Sequence, residues 1–474
     1  MSTGLPTEHS VFDSRSLEDI YKEIQNTYIR FPQPWVIGYS GGKDSTAVLQ
    51  LVWKALERLP GDKLSKPVFV ITSDTKVETP IIVDYINNSL SRINIAAKEA
   101  GLPISAQKVT PTLNDRFWVN LIGRGYPAPT IRFRWCTDRM KINPANRFIE
   151  EKVTDYGEVI VVLGVRKTES ATRMQLMNTY KVKEHLLRRH VSLRGAYVYA
   201  PVADFSTDDI WTYLLQVKSP WGNNNRDLAA LYKNANAGEC PLVIDNTTPS
   251  CGNSRFGCWV CTVASRDSSM EALIDGGEEW MEPLLEFRDW LSITTDPDRK
   301  LEFRDIKGRD GRVIFKKDGK LAARTYKLEI SKQMLIKVLD IQQNVRMNGP
   351  NSDVTLISDE ELHDIRRIWR TERQDWEDSV PKIYQEIYSN NLEWLEDDNQ
   401  SFDADHHILL RSICEEYDVP FDLVAKLLEA ERKANGMARR AGIYKALSSI
   451  LGQEWRKEEE LFQERRDHEQ LNLV

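Results

Sequence analysis

No run of about 18 apolar residues occurs anywhere in the chain, so a membrane-crossing helix is not expected. The opening MSTGLPTEHSVFDSRS lacks the basic-then-apolar order of a secretion signal, and the protein is expected to stay in the cytoplasm without membrane association. Positive charge is not in excess either: 64 Lys and Arg stand against 71 Asp and Glu, a formal charge of −7. That excludes a protein whose whole surface coats nucleic acid and leaves only local basic patches for such contact. Cysteine is scarce, at 6 in 474 residues, too few for a disulfide scaffold. None of the 7 histidines lies between residues 191 and 362, so a mixed Cys/His zinc site in that stretch would need a distant partner. What remains is an ordinary globular composition, 41% apolar and 28% charged. Its length suits about two to four domains, or one large domain with an appendage, and no internal repeat is visible.

From about residue 34 to 215, short β-branched runs alternate with helical stretches, the rhythm of a parallel sheet covered by helices. PWVIGYS (34–40), PVFVITSD (67–74) and VIVVLGV (159–165) read as strands, and TAVLQLVWKAL (46–56) as a helix. The unbroken apolar character of VIVVLGV suits a strand buried on both faces. From about 216 to 265 the chain is rich in Asn, Gly, Pro and Cys with little periodicity, as expected where a bound cofactor orders the backbone. Residues 270–474 look mostly helical, with a hairpin expected around Asp310-Gly311 and Asp318-Gly319. The expected division is an α/β domain over 12–215, a cysteine-rich segment over 216–268 and a helical region over 270–474.

Ser40-Gly41-Gly42-Lys43-Asp44-Ser45 ends a predicted strand and opens a predicted helix. There the positive helix end and free backbone N–H groups meet whatever lies above the sheet edge, and two glycines let a phosphate approach closely. Lys43 can neutralise a phosphate oxygen, while Ser40 and Ser45 can donate hydroxyl hydrogen bonds. The glycines are adjacent, so this is not the GxxxxGK[ST] pattern. An ordinary glycine turn is the plain alternative.

At these residues the chain resembles the PP-loop ATP pyrophosphatase superfamily, whose SGGxDS loop holds the β,γ-pyrophosphate of ATP while the α-phosphate is attacked. Further segments follow the same order. Asp74-Thr75 with Val77-Glu78 resembles the DTxxE segment of the branch that includes PAPS reductase. Gly164-Val165-Arg166 with Glu169-Ser170 and Arg173 resembles its GxRxxES segment, and Pro201-Val202 with Asp208, Asp209 and Trp211 its closing segment. Read singly, Asp74 or Arg166 would be a capped turn or a surface ion pair. The resemblance implies ATP as substrate, accompanied by Mg2+, with Lys43, Asp44 and Asp74 catalytic. It further implies ATP binding by Ser40, Gly41, Gly42, Lys43, Asp44, Ser45, Asp74, Glu78, Gly164 and Arg166.

Cys251, Cys258 and Cys261 fall within eleven residues, a clustering that points to metal or cofactor ligation in a reducing compartment. A fourth thiolate could come from Cys136 or Cys240, and four suit either a structural zinc or an iron–sulfur cluster. Cys414 stands alone in a helical stretch and reads as a core residue. The pair Cys136 and Lys141, with Cys258 and Cys261 distant from it, resembles the 4Fe–4S pattern of assimilatory sulfonucleotide reductases. Ser250 to Thr262 resembles the DndC family more closely, the sulfur-inserting components of bacterial DNA phosphorothioation. That resemblance implies a 4Fe–4S cluster on Cys136, Cys251, Cys258 and Cys261, a cysteine desulfurase as sulfur source, and partner Dnd phosphorothioation proteins. The implied substrate is DNA, in which a non-bridging oxygen of the backbone phosphate is replaced by sulfur.

Adenylation turns a phosphate oxygen into part of an anhydride that sulfur can displace, so one reaction accounts for both the loop and the thiolates. Duplex binding needs cations. Arg132, Arg134, Arg139 and Lys141 surround Cys136, and residues 299–320 carry nine Lys and Arg against four Asp and Glu, with Arg309 and Arg312 as expected DNA contacts. A solvated hairpin face is the alternative for 299–320. Residues 383–410 carry seven Asp and Glu and no Lys or Arg, which suits an exposed linker or a surface repelled from DNA. The rivals are a tRNA thiolation enzyme, a PAPS reductase, and a non-enzymatic zinc-containing DNA-binding or assembly module.

Overall fold

The computed structural model describes residues 10–167, 186–234, 257–308, 311–316, 319–390, 392–394, 402–434, 442–456, 460–461 and 463. They fall into two compact units. One is drawn from Met1–Phe117, Pro129–Ser292 and Asn344–Val354, the other from Trp118–Ala128, Ile293–Gln343 and Thr355–Val474.

The first unit is built on a six-stranded sheet. Its strands are β1 (Trp35–Gly38), β2 (Val68–Ser73), β3 (Ile104–Val109), β4 (Val159–Val162), β5 (Arg188–Arg189) and β6 (Ala196–Tyr199), in the order β3-β2-β1-β4-β6-β5. All neighbours are parallel except the short edge strand β5 against β6. Every residue of β1 and β4 is buried, because both lie centrally with helices on each face. Trp35 and Ile37 face one apolar cluster and Val36 the other, as the two-residue period of a strand requires. The first cluster is closed by α1 (Leu17–Arg30), α2 (Lys43–Leu56), α3 (Pro80–Glu99) and α5 (Thr207–Gln216), the second by α4 (Asn143–Tyr156). Strand order reverses at β1, with β2 and β3 to one side and β4 to the other. In such sheets the crevice at that switch point receives ligands.

Asp209, expected only as part of a family segment, has a capping role here. It completes a capping box with Ser206 at the start of α5 and accepts from Ser10 Oγ at 2.5 Å and Val11 N at 3.2 Å. Within the stretch expected to lack periodicity lies a helix, α6 (Asn225–Asn234). Its anchor is polar: the buried Asn225 amide donates to Leu214 O at 2.7 Å and Val217 O at 3.0 Å and accepts from Gln50 Nε2 at 2.9 Å. Apolar periodicity cannot register such an anchor.

Lys66 shows what burial does to an ammonium in this core. Its Nζ donates to the carbonyls of Tyr28 and Phe31 at the end of α1 and lies 4.1 Å from the Tyr28 ring centroid. Burial pushes its pKa down to about 8. An unfolded lysine titrates near 10.4, so between these values the folded state holds fewer protons and stability rises with pH. Below about pH 8 both states are protonated and the slope vanishes. Relative to Lys66→Gln, wild-type unfolding free energy should therefore climb by up to about 3 kcal/mol across that window. Denaturant titrations at stepped pH measure it, and parallel curves would refute it.

The second unit is mainly helical, as expected. It contains most of α9 (Leu328–Asn348), with α10 (Asp359–Glu372), α11 (Ser379–Tyr388), α12 (Ala404–Glu416), α13 (Phe421–Ala434) and α14 (Ile443–Leu451); α7 (Ser268–Asp275) and most of α8 (Glu282–Ile293) belong to the first unit. Leu335, Leu339, Ile365, Ile368 and Trp369 are fully buried, and Trp118 and Trp369 donate from Nε1 to Leu356 O at 2.7 Å and Ile122 O at 2.9 Å. The expected hairpin takes the form of two tight turns in series, bridged Lys307 to Val313 and Phe315 to Leu321, with Gly311 (φ 75°) and Gly319 (φ 82°) at the left-handed positions. Among the described residues no helix is long and apolar enough to cross a membrane.

Candidate functional site

Parallel pairing brings the ends of β1, β2 and β4 to one edge, and the sequence-predicted loop lies there. Gly41 is left-handed at φ 75°, and Gly42 is the N-cap of α2 without a side-chain cap. The helix N-terminus thus leaves amide donors for an anion. Ser45 Oγ donates to Gly42 O at 3.0 Å and sits 3.1 Å from Ser40 Oγ, which fixes the turn. Lys43 is 2% exposed, and its Nζ lies 2.9 Å from Asp44 Oδ2. Asp44 Oδ1 accepts from Arg166 Nε at 2.7 Å, so one carboxylate couples the loop lysine to an arginine that follows β4. Gly164 makes this approach possible. A Cβ there would stand 2.9 Å from the Asp44 carbonyl carbon and 3.0 Å from Ser45 N. Gly164→Ala should destabilise the first unit by about 1–3 kcal/mol through overpacking against backbone. It should also weaken nucleotide binding; unchanged melting and affinity would show that the loop can shift without cost.

The segment after β2 forms the second wall. Burial works against the Asp74 charge, but Lys108 Nζ at 3.1 Å and Lys76 Nζ at 3.2 Å outweigh it and hold the carboxyl below the usual carboxylate range. Glu78 goes the other way: burial and the neighbouring Asp74 charge raise it, although Thr75 donates to it from N at 3.0 Å and from Oγ1 at 2.6 Å. Two carboxyls four residues apart thus differ in proton affinity because one has two lysines beside it while the other is buried next to the first one's charge.

The cysteine segment is joined to this wall. Cys258 bridges Glu78 in antiparallel fashion, Trp259 N donates to Val77 O at 3.0 Å, and Thr75 Oγ1 lies 3.3 Å from Cys258 Sγ. Burial pushes the Cys258 thiol well up, with the Glu78 charge adding to it. Cys136, Cys258 and Cys261 line one cavity of about 50 Å³ together with Phe117, Met140 and Lys141. Thr262 Oγ1 donates to Pro129 O at 2.6 Å, tying the segment to the loop that leads to Cys136. Arg288, 1% exposed on α8, holds the irregular backbone by donating to Cys261 O at 3.0 Å and Ser265 O at 3.1 Å. Among the described residues no group of three or more His, Cys, Asp and Glu is arranged to hold a metal ion. Cys240, Cys251, Glu169, Ser170, Arg173 and Arg309 lie outside the described residues.

Of the expected DNA contacts, Arg132 is exposed, Arg134 half-buried and Lys141 in the cysteine cavity, while Arg139 pairs with Asp115 at 2.9 Å. Arg312 is exposed and belongs to the second unit. Three residues were missed by sequence reasoning: Lys108, Arg288 and Tyr232. The Tyr232 hydroxyl accepts from Lys43 N at 3.1 Å, its ring lies 5.4 Å from Lys43 Nζ, and Trp211 packs edge-on against it at 5.0 Å. No local sequence signal marks any of the three, since each acts on a segment far away along the chain.

A sheet of this order, with a glycine loop entering a helix at the switch point, defines a PAPS reductase-like α/β domain of the PP-loop type. Residues 34–264 match the family described as the phosphoadenosine phosphosulfate reductase domain. Residues 407–452 match a second family, described as a small protein found in certain Dnd DNA modification systems. The chain is 28% identical over 198 residues to an uncharacterized protein of Methanocaldococcus jannaschii, an alignment covering 42% of this chain. It spans 35% of the length of that curated relative. Among solved structures it is similar to the U34-tRNA thiolase NcsA from Methanococcus maripaludis with its 4Fe–4S cluster, at 12% identity and a TM-score of 0.27, covering 60% of this chain and 82% of that one.

Proposed function

We propose that this protein is the ATP-dependent sulfurtransferase of DNA phosphorothioate modification, a DndC-type enzyme. The observation that carries the reading is the docking of the cysteine segment, through Thr75 and Glu78 on Cys258, onto the segment after β2, at the same sheet edge as the glycine loop. A nucleotide with its pyrophosphate on the loop would have its α-phosphate near the thiol-bearing wall. Lys43 and the amides of α2 offset charge on the departing pyrophosphate, Asp44 and Arg166 hold Lys43 in position, and ionised Asp74 with its two lysines orders the second wall. A backbone phosphate oxygen of DNA attacks the α-phosphorus and pyrophosphate leaves. A sulfur nucleophile then forms the P–S bond as the bond to AMP breaks. The sequence match of residues 407–452 to a small protein of Dnd DNA modification systems supports DNA as the substrate and other Dnd proteins as partners, and a cysteine desulfurase is the sulfur source that this reading requires.

Three of the four thiols that a 4Fe–4S cluster needs, those of Cys136, Cys258 and Cys261, line one cavity, which supports such a cluster although the described residues do not complete its site. Cys136, Cys251, Cys258 and Cys261 would hold it, and it would supply sulfur-bridged iron beside the activated phosphate. Deleting the gene should abolish phosphorothioate-dependent cleavage of genomic DNA by iodine. Retained cleavage would end the reading. The match of residues 34–264 favours a second reading, reduction of a sulfonucleotide, in which the purified protein, given a sulfonucleotide and a dithiol as the two-electron reductant, would release sulfite and the nucleotide, with no pyrophosphate.

A further inference from the structure

The second unit holds a cleft of about 1240 Å³ whose described lining includes no residue of the glycine loop and no cysteine. Eight Lys and Arg and six Asp and Glu line it, a positive excess in a chain of net charge −7. Most of these charges are already engaged. Lys332 lies 3.3 Å from Glu329 and 3.9 Å from both Asp375 and Glu377, Arg456 pairs with Glu454, and Lys327 donates to the carbonyls of Leu301 and Glu302. Lys307, Lys426 and Arg411 differ. Among the described residues none of the three has a carboxylate within 4 Å. Their cationic groups rest on rings: Lys307 and Lys426 lie 4.1 and 5.2 Å from the centroid of Trp455, and Arg411 lies 4.9 Å from that of Phe421, while Lys426 Nζ also donates to the neutral Gln453 Oε1 at 3.0 Å.

Two ammonium groups sharing one indole repel each other, and burial has lowered the pKa of both, which costs free energy that an anion between them would recover. A second observation points the same way. Trp376, 3% exposed, lines the cleft, and among the described residues its buried indole N–H has no hydrogen-bond partner. An orphaned donor in a cleft with two unneutralised ammoniums calls for an acceptor-rich anion. The volume exceeds the roughly 300–1,000 Å³ of small-ligand pockets, so an extended polyanion fits better than a free ion.

We propose that this cleft binds the phosphodiester backbone of a DNA strand, with Lys307, Lys426 and Arg411 as phosphate contacts, an assignment that rests on DNA being the substrate. Of the basic residues expected from sequence, Arg312 is exposed and follows Lys307 closely in the chain. Arg411 and Lys426 come from the segment that resembles the Dnd-system small protein, which gives that segment a role in holding DNA.

The test measures binding of the full protein to a single-stranded and a duplex oligonucleotide over a salt series. Lys307→Gln with Lys426→Gln should lower the magnitude of the slope of log K against log salt by about 1.4 for single strands or 1.8 for duplex, while ATP-to-pyrophosphate turnover without DNA stays at the wild-type rate. Asp422→Asn removes a negative charge that competes with a phosphate for both lysines and should tighten DNA binding, an opposite change that misfolding cannot mimic. Unchanged slopes in both variants would overturn the cleft assignment while leaving the sulfurtransferase reading intact. Inorganic phosphate that binds the cleft while DNA affinity ignores the lysines would make it a free-anion site. Poly-glutamate that competes as well as DNA would make it a protein-docking site, and either result overturns the proposal. Loss of iodine cleavage on gene deletion is independent of all these outcomes.

Discussion

Alanine in place of Lys43 is expected to cut pyrophosphate release from ATP by about 10²–10³-fold, the usual cost of removing one preorganised donor from a developing charge. The side chain is almost fully buried at the first position of α2, where the helix end already favours anions, and its ammonium is fixed 2.9 Å from Asp44. The fold should survive. Asp44 keeps Arg166 at 2.7 Å, so truncating the lysine leaves that carboxylate paired, and the apolar face of α2 is untouched. Asp44→Asn attacks the same system from the other side and should lower the rate as well, with some loss of stability because it removes the negative partner of two buried cations. Pyrophosphate release and thermal melting, measured together, separate these effects. A Lys43→Ala protein that turns over at the wild-type rate would remove the loop from catalysis, and release of ADP and orthophosphate by the wild type would remove the PP-loop assignment itself.

Serine at Cys258 is expected to strip bound iron from anaerobically purified protein and bleach its absorbance near about 400 nm, where thiolate-to-iron charge transfer lies. The same loss is expected at Cys136, Cys251 and Cys261, because a cuboidal cluster with one of its four thiolate ligands replaced by a hydroxyl is labile. Cys414, 4% exposed on α12, is the internal control, and serine there should leave iron content unchanged. Cys136 carries the greatest discriminating power. It reaches the cavity from a loop more than a hundred residues before Cys258, and full iron retention in Cys136→Ser would transfer the fourth position to Cys240. Colourless wild-type protein carrying stoichiometric zinc would favour the structural-zinc alternative.

Some of this was written locally in the chain. The strand-to-loop-to-helix passage from Trp35 to Leu56 is legible because its signals are contiguous: an apolar run, two glycines where a left-handed turn and a bare N-cap are needed, then a helical apolar pattern. The parallel sheet is legible for the same reason, since β1 and β4 are apolar without interruption and only burial on both faces tolerates that. Helix α6 was not, because beside Leu228 its hold on the core is an asparagine amide whose partners, Gln50, Leu214 and Val217, lie outside the helix. Asp209 was legible as an acidic residue at a helix start, but its bonds to Ser10 and Val11, some 200 residues away, were not.

By itself, then, the sequence determined the fold class, the glycine loop between strand and helix and the side-chain types that follow it, because strand period, glycine conformation and side-chain type are properties of neighbouring residues. Only the tertiary structure decided how charge is distributed at the site. Lys108 reaches Asp74 because β3 pairs with β2, Arg166 reaches Asp44 because β4 lies beside β1, and Cys258 meets Thr75 because an irregular loop is pinned by Arg288. In each case the partner is supplied by strand order or a long-range hydrogen bond. Coulomb and hydrogen-bond energies depend on separation in space and not along the chain, so no inspection of the local sequence could have assigned those partners.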